Sequence, residues 1–263
     1  MGVESTGRQG NPAAPIAPVV RVRAVLAEAD AVGGFFAIST RDEEAADPSW
    51  RPLASLYAVP DTGPDPVGDR LAAVAEGLDA GRRVAASLLT QSLASRPVSV
   101  LLCAATAGVL PDLSPRTVLH ARPWAGGPVP LWADPERLTG TELGAPDDPL
   151  TAAALAEVLA RDHLAPLVAG VRARESVSEQ VLWGNATSAL AGAVRVLGGE
   201  RPDRHDAALA LVRGVLAHEP FAGFGRFVAD PGHPSGIGFA RTTCCLYYRV
   251  PGGGKCADCV LRR

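Results

Sequence analysis

The stretch "RTTCCLYYRVPGGGKCADCVLRR" (residues 241–263) decides how the C-terminal part of this chain folds. It holds four of the five cysteines of the protein, Cys244, Cys245, Cys256 and Cys259. Their spacing is C-C-x10-C-x2-C, with a glycine-rich turn between the two halves. Thiols gathered in this way bind zinc, hold an iron–sulfur cluster or form disulfides, and each chemistry predicts a different function.

The two halves of the cysteine motif differ in what they indicate. Cys256 and Cys259 can reach one metal from a single turn, as in both zinc and iron–sulfur sites. Cys244 and Cys245 are adjacent, and neighbouring side chains of an extended strand point to opposite faces. One tetrahedral zinc ion would therefore need a sharply bent backbone, whereas a two-iron cluster offers four outward-facing ligand positions. The glycines of residues 251–254 supply a flexible return between the halves.

The spacing favours an iron–sulfur cluster but leaves zinc and redox-active disulfides open. Structural disulfides are disfavoured in the cytosol, which is where we expect the protein. The N-terminus lacks the basic start and apolar core of a secretory signal. The longest apolar run, residues 98–110, is too short to span a bilayer. We therefore predict a cytoplasmic protein without a membrane span.

The charge of the chain is distributed unevenly. The whole chain carries a net charge of −3, which argues against nucleic acid as a partner. From Phe221 onward, six basic residues face two acidic ones, so this segment carries +4 and the remainder −7. The sequence thus predicts a basic surface around the cysteines on an otherwise acidic body.

The pattern of apolar residues predicts an α+β fold that is mainly α-helical, without internal repeats. We expect a disordered tail over residues 1–18, a helix-rich body with a small β component over 19–220, and a cysteine-rich iron–sulfur segment over 221–263.

Three local features of the body are predicted from periodicity and turn residues. Apolar spacing indicates a long helix that Asp69 caps and that ends before Pro97. Two apolar arms around Gly126-Gly127 indicate a hairpin. A helix starting at Thr151 is expected to break or kink at Pro166.

Motifs for other enzyme chemistry are missing from the sequence. The five histidines are scattered, with no pair at the spacing of a metal-binding H-E-x-x-H helix. There is no G-x-S-x-G nucleophile elbow, no Walker loop and no complete G-x-G-x-x-G fingerprint. We therefore expect no catalytic residue beyond the cysteine site.

The quoted stretch resembles the C-terminal signature of the FhuF-type ferric-siderophore reductases, a family with a C-terminal [2Fe–2S] cluster. The resemblance holds at all four cysteines, and their spacing is rare enough to be specific. The segment LWGNATSAL (residues 182–190) also resembles a part of that family, whereas the N-terminal half shows nothing diagnostic.

The resemblance implies a cofactor, a reaction and partners. Cys244, Cys245, Cys256 and Cys259 would bind a [2Fe–2S] cluster. The cluster would pass one electron to Fe(III) held by a siderophore, usually a hydroxamate, and Fe(II) would be released in the cytosol. The protein would then be an oxidoreductase with an external electron donor such as a ferredoxin or a flavoprotein reductase.

Six further residues are candidates for contacts with the substrate or a partner: Arg241, Arg249, Lys255, Tyr247, Trp183 and Asn185. The three basic residues would stabilise a reduced cluster or attract an acidic donor. The two aromatic residues would line a surface for the chelate. The asparagine is a poor helix former inside a helical pattern, which a polar contact to the C-terminal segment would explain.

Two other functions remain open at this point. One is a non-enzymatic, zinc-stabilised binding module. The other is an iron–sulfur electron carrier or sensor that acts on a protein partner.

Overall fold

A computed structural model of the chain describes residues 14–230, 232 and 235–262. The predicted tail over residues 1–18 lies mostly outside this range. Where it enters the range, Ala17 donates a backbone hydrogen bond to the carbonyl of Gly140, and Ile16 forms an isolated bridge with Thr141. The last residues before the first helix are therefore fixed to the body.

Helices dominate the described residues, which confirms the prediction of a mainly helical α+β fold. The helices are α1 (Val19–Val32), α2 (Leu53–Tyr57), α3 (Pro66–Gly77), α4 (Arg82–Thr106), α5 (Pro149–Val158), α6 (Ala165–Arg174), α7 (Glu179–Glu200) and α8 (His205–Val215). The strands are β1 (Arg51–Pro52), β2 (Val109–Pro111), β3 (Leu119–Ala121), β4 (Leu131–Ala133), β5 (Gly140–Glu142), β6 (Gly225–Ala229) and β7 (Ile237–Arg241). They form three small antiparallel sheets, ordered β1-β3-β4, β2-β5 and β6-β7.

Helix α4 lies at the centre of the core and packs against α1, α3, α6, α7 and α8. Its side chains at Val98, Leu101 and Leu102 are fully buried. Each such burial stabilises the fold by about 1.5–3 kcal/mol. By length and composition α4 could cross a membrane, but 78% of its most apolar window is buried inside the protein, as in the core helix of a soluble protein.

The predicted single helix from Asp69 to Pro97 is wrong. Helix α3 begins at Pro66 and ends at Gly77, Asp79 has a positive φ of 45°, and α4 then runs through Pro97 to Thr106. The apolar spacing is similar on both sides of the break, so periodicity alone missed it. Pro97 does not end α4 because tertiary packing on every side of this helix outweighs the one backbone hydrogen bond that proline removes.

The predicted hairpin around Gly126-Gly127 and the predicted kink at Pro166 agree with the structure. Strands β3 and β4 pair across the turn that contains Gly126-Gly127, which confirms the hairpin. Before Pro166 the chain forms a π-helical segment, Leu159–Leu164, that joins α5 to α6. The predicted kink is therefore a widened turn just ahead of the proline, which accommodates its missing N–H.

The π-helical segment buries His163 completely, and neither ring nitrogen has a hydrogen-bond partner among the described residues. Burial lowers the pKa of His163 to about 4, from a usual value of 6.5. Between these values the unfolded chain binds a proton that the folded protein excludes. Stability is thus fully present above pH 6.5 and falls as the pH drops towards 4.

We predict that lowering the pH from 7 to 5 costs about 2 kcal/mol of unfolding free energy through His163 alone. The variant His163→Leu keeps the apolar volume and removes the titrating group, so it should lose correspondingly less stability over this range. Urea unfolding at both pH values measures the difference. Equal losses for the wild type and the variant would show that His163 does not carry this dependence.

Candidate metal centre

The β6-β7 hairpin delivers the chain to the cysteines. Phe227 and Phe239 lie opposite each other across it and make an edge-to-face contact with ring centroids 5.4 Å apart. A side chain at Gly225 would collide with the ring of Phe239 at 2.4 Å, so only glycine fits beside this ring. The hairpin ends at Arg241, which places Cys244 and Cys245 directly after a strand that is fixed by packing.

The backbone bends sharply at the first cysteine pair. Leu246 has φ 66° and ψ 3°, a left-handed conformation that is unfavourable for a leucine, and a 3₁₀ turn at Tyr247–Arg249 follows. The N–H of Leu246 donates to the sulfur of Cys244 over 3.4 Å. The adjacent cysteines therefore lie outside β7, immediately before a left-handed turn.

The glycine-rich return brings the two halves of the motif together. Gly252 and Gly254 have φ values of 70° and 101°, which side chains rarely allow. The sulfurs of Cys245 and Cys256 lie 3.4 Å apart. Two thiolates on one tetrahedral metal with bonds of about 2.3 Å are separated by about 3.8 Å, so this pair is close to the spacing that a metal needs.

The remaining cysteines flank this central pair along the chain. Cys244 precedes Cys245, and the N–H of Cys259 donates to the carbonyl of Cys256 over 3.1 Å, which closes the C-x2-C turn. No group of three or more His, Cys, Asp or Glu side chains in the described part of the chain already converges on a metal position. The structure therefore brings one sulfur from each half together, and the other two cysteines adjoin this pair along the chain.

The two central thiols shift each other's pKa. The hydrogen bond with Cys256 lowers the pKa of the Cys245 thiol to about 6, against the opposing effect of burial, and the nearby charge of Arg241 contributes less. The same hydrogen bond raises the pKa of Cys256. A lowered pKa favours the thiolate, which is the form of cysteine that binds metals.

A buried hydrogen-bond network joins the cysteine segment to the body. The hydroxyl of Ser87 on α4 donates to the carbonyl of Cys245 over 2.8 Å. Asn185 on α7 donates to the backbone carbonyl and the hydroxyl of Ser87, at 2.6 and 2.8 Å, and accepts from the guanidinium of Arg241 at 2.5 Å. Both core helices are thus connected to the strand that precedes the cysteines and to a cysteine itself.

Asp258 makes a second connection from inside the C-x2-C turn. Its carboxylate accepts hydrogen bonds from Ser188, at 2.5 Å, and from Arg195, at 3.0 Å, both on α7. Its backbone carbonyl accepts from the N–H of Arg241 at 3.4 Å. Sequence reasoning missed Asp258, although it is one of only two acidic residues in the basic segment after Phe221.

A close approach at Gly184 brings α7 against the cysteine segment. A Cβ atom at Gly184 would lie 1.9 Å from the hydroxyl of Thr243. This glycine lets α7 contact the residues that precede the first cysteine pair. The polar side chains of Asn185 and Ser188, on the same part of α7, complete the contact.

Three of the six candidate binding residues are buried. Arg241 is 1% exposed and Asn185 is not exposed at all. Trp183 is 7% exposed, packs edge-to-face on Phe221 at 6.0 Å, and its indole N–H donates to Glu179 at 3.3 Å. Their contact with a substrate or partner stays a prediction, and the contacts described here lie within the protein.

The other three candidates lie at the surface beside the cysteines. Tyr247 and Arg249 occupy the 3₁₀ turn after Cys245 and are exposed. Lys255 is exposed as well, and its ammonium donates to the carbonyl of Leu261 at 2.6 Å. Their role in binding a substrate or partner also stays a prediction.

A comparison with protein families matches residues 241–261 to the family model described as FhuF 2Fe-2S C-terminal domain. The chain carries a C-terminal domain of the FhuF type. This FhuF-type domain spans all four clustered cysteines, and its cofactor is a [2Fe–2S] cluster. No curated protein matches the chain.

The residues of the FhuF-type domain fit an anionic cluster. Two buried polar atoms, Nε of Arg241 and the hydroxyl oxygen of Thr243, have no hydrogen-bond partner among the described residues. Both belong to the short stretch that leads into Cys244. Buried polar groups are normally paired, so two donors left open among the described residues fit an added acceptor. A thiolate-ligated cluster is such an acceptor.

We predict that Gly184→Ala separates the FhuF-type domain from α7, because the new methyl group collides with Thr243. Overpacking of this kind costs about 1–3 kcal/mol. Hydrogen exchange of residues 241–262 should become faster, and urea unfolding should report the loss. The double variant Gly184→Ala, Thr243→Ala should recover part of it.

Gly192→Ala on the same helix is the matched control. A Cβ atom there meets only the end of the Arg195 side chain, at 4.0 Å, so the substitution should be neutral or should stabilise the helix by up to about 1 kcal/mol. Equal exchange rates for the two single variants would contradict the close approach at Gly184.

We predict that Asp258→Asn weakens the attachment of the C-x2-C turn to α7, because the amide cannot accept hydrogen bonds from both Ser188 and Arg195 as the carboxylate does. The expected loss of stability is about 1–3 kcal/mol. Thermal unfolding and the iron content of the purified protein measure it. The control is Asp230→Asn, which changes the other acidic residue of the segment at an exposed position. A similar effect of both variants would show that only net charge matters.

Proposed function

We propose that the protein is a ferric-siderophore reductase, which converts Fe(III) bound by a hydroxamate siderophore to Fe(II) and so releases the iron. The observation that carries the proposal is the FhuF-type domain with its four clustered cysteines. The resemblance of residues 182–190 to the same family supports it, since this part of α7 contacts the domain.

The cluster ligands in this proposal are Cys244, Cys245, Cys256 and Cys259. The fifth cysteine, Cys103, is buried in α4 and 4% exposed. Burial raises its pKa to about 11, so it remains a thiol and behaves as an apolar core residue.

The reaction is an electron transfer without bond chemistry on the chelator. When bound, the [2Fe–2S] cluster supplies a one-electron carrier. Each turnover takes one electron from an external donor, such as a ferredoxin or a flavoprotein reductase, and converts one Fe(III) to one Fe(II). Siderophores hold Fe(II) far less tightly than Fe(III), so the iron then leaves. No general acid or nucleophile is needed, which agrees with the lack of such motifs.

The surface next to the cysteines is suited to this role. Tyr247, Tyr248 and Arg249 are exposed directly after Cys245, and the guanidinium of Arg249 lies 5.6 Å from the ring centre of Tyr248. This basic and aromatic face offers apolar area and positive charge to a bulky chelate. The same charge attracts an acidic electron donor to the segment rather than to the acidic body.

The proposed location is the cytoplasm, where iron released from a siderophore is used. None of the five cysteines forms a disulfide, as is usual for proteins of reducing compartments.

An anaerobic experiment tests the proposal. The purified protein is reduced with dithionite, freed of excess reductant, and mixed with a ferric trihydroxamate and a ferrous chelator. We expect bleached visible absorption to return and one Fe(II) to be trapped per cluster. A cluster that stays reduced would leave an electron carrier or sensor for a protein partner. Bound zinc without acid-labile sulfide would indicate the binding module instead.

Single Cys→Ser variants test the ligand set. Each change at Cys244, Cys245, Cys256 or Cys259 should greatly reduce the visible absorption and the acid-labile sulfide. Cys103→Ala is the matched control and should keep both at the level of the wild type. Full cluster content in any one of the four serine variants would remove that cysteine from the ligand set.

A further inference from the structure

Arg241 is a buried cation without a carboxylate counterion among the described residues. Its side chain is among the largest that are fully buried. In the described part of the chain its guanidinium has one hydrogen-bond acceptor, the neutral amide oxygen of Asn185, and its Nε has none. No described carboxylate lies within ion-pair distance of it. An isolated charge in such a place is strongly unfavourable unless something compensates it.

Two other arginines with buried side chains show how this protein satisfies such groups elsewhere. Arg174 forms a salt bridge with Asp65 at 2.7 Å. Arg96 lacks a carboxylate within ion-pair distance, but its guanidinium donates to the carbonyls of Val129, Gly34 and Ala37. Arg241 has neither a salt bridge nor a set of backbone carbonyl acceptors among the described residues. It therefore differs from the other two buried arginines.

The position of Arg241 is at the junction of the two cysteine pairs. Its backbone N–H donates to the carbonyl of Asp258 inside the C-x2-C turn. Its guanidinium connects through Asn185 and Ser87 to the carbonyl of Cys245.

We propose that Arg241 is the buried counterion of the [2Fe–2S] cluster and raises its reduction potential. Four thiolates give the cluster a net negative charge that grows by one on reduction, so a fixed buried cation favours the reduced form. In this role Arg241 is a positioning and tuning residue that acts through the cluster. The inference rests on the cluster and is independent of the proposed reductase activity.

The proposal predicts opposite effects of Arg241 in the two forms of the protein. With the cluster bound, the guanidinium is compensated and stabilises the site. Without the cluster it is an unpaired buried charge and destabilises the fold. A purely structural arginine would stabilise both forms.

The first test measures the midpoint potential of the intact protein by redox titration, followed by visible absorption and electron paramagnetic resonance. Arg241→Met removes the charge and keeps a long apolar side chain. We expect the reduced-to-oxidised ratio at a fixed potential to fall at least tenfold, a shift of about 59 mV for one electron. Arg241→Lys retains the charge and should shift the potential less.

The matched control is Arg226→Met in the same hairpin. Arg226 pairs with Ala240 on the neighbouring strand, is exposed, and points to the opposite face from Arg241. Arg226→Met should leave the midpoint potential of the cluster unchanged, because solvent screens the charge of Arg226. A potential in Arg241→Met equal to that of the wild type, or an equal shift in Arg226→Met, would overturn the proposal.

The second test compares thermal unfolding of the full-length chain with and without its cluster. Arg241→Met should be less stable than the wild type when loaded, and at least as stable when the iron has been removed. The comparison of the cluster-free proteins remains informative even if Arg241→Met binds little cluster. Lower stability of the apo variant would show that the protein alone satisfies Arg241, and the proposal would fail.

Discussion

The hydrogen bonds that run from Ser87 through Asn185 to Arg241 are the constraint on which the cysteine site depends. They are buried, they connect α4, α7 and β7, and they end on the backbone of Cys245. An unpaired buried polar group destabilises the folded protein, so each side chain in this network restricts the other two to one arrangement. The small cysteine segment has no hydrophobic core of its own, and these hydrogen bonds hold it rigidly against α4 and α7. Asp258 repeats the connection from the opposite half of the cysteine motif, so both halves are fixed to the same helix.

This arrangement separates the roles of body and segment. The body supplies burial, helix packing and polar anchors, while the segment supplies the sulfurs and the exposed basic and aromatic residues. Electron transfer requires little reorganisation around the cofactor, and anchors on a rigid helix limit such movement better than loop contacts would. The acidic body and the basic segment also give an approaching charged molecule a preferred side.

The cysteine site was far more predictable from the sequence than the body was. The C-C-x10-C-x2-C spacing and the Gly252–Gly254 return are local features, and the structure brings Cys245 and Cys256 together accordingly. The left-handed turn at Leu246 could not be foreseen, because leucine rarely adopts it and only the surrounding contacts impose it. Pro97 was misread for a related reason: its place inside α4 is decided by packing from distant parts of the chain. The anchors Ser87, Ser188 and Arg195 are likewise unremarkable residues until the fold places them next to the segment.

The anchoring of the C-x2-C turn through Asp258 has a consequence for how the protein matures. The carboxylate of Asp258 and its partners on α7 form their hydrogen bonds without the help of any sulfur. The C-x2-C turn therefore keeps this shape through contacts with α7 that involve no sulfur. Cys244, Cys256 and Cys259 are partly exposed in that shape, and Cys245 lies behind them. Iron and sulfide would therefore reach the four sulfurs from the surface side, past Cys244, Cys256 and Cys259.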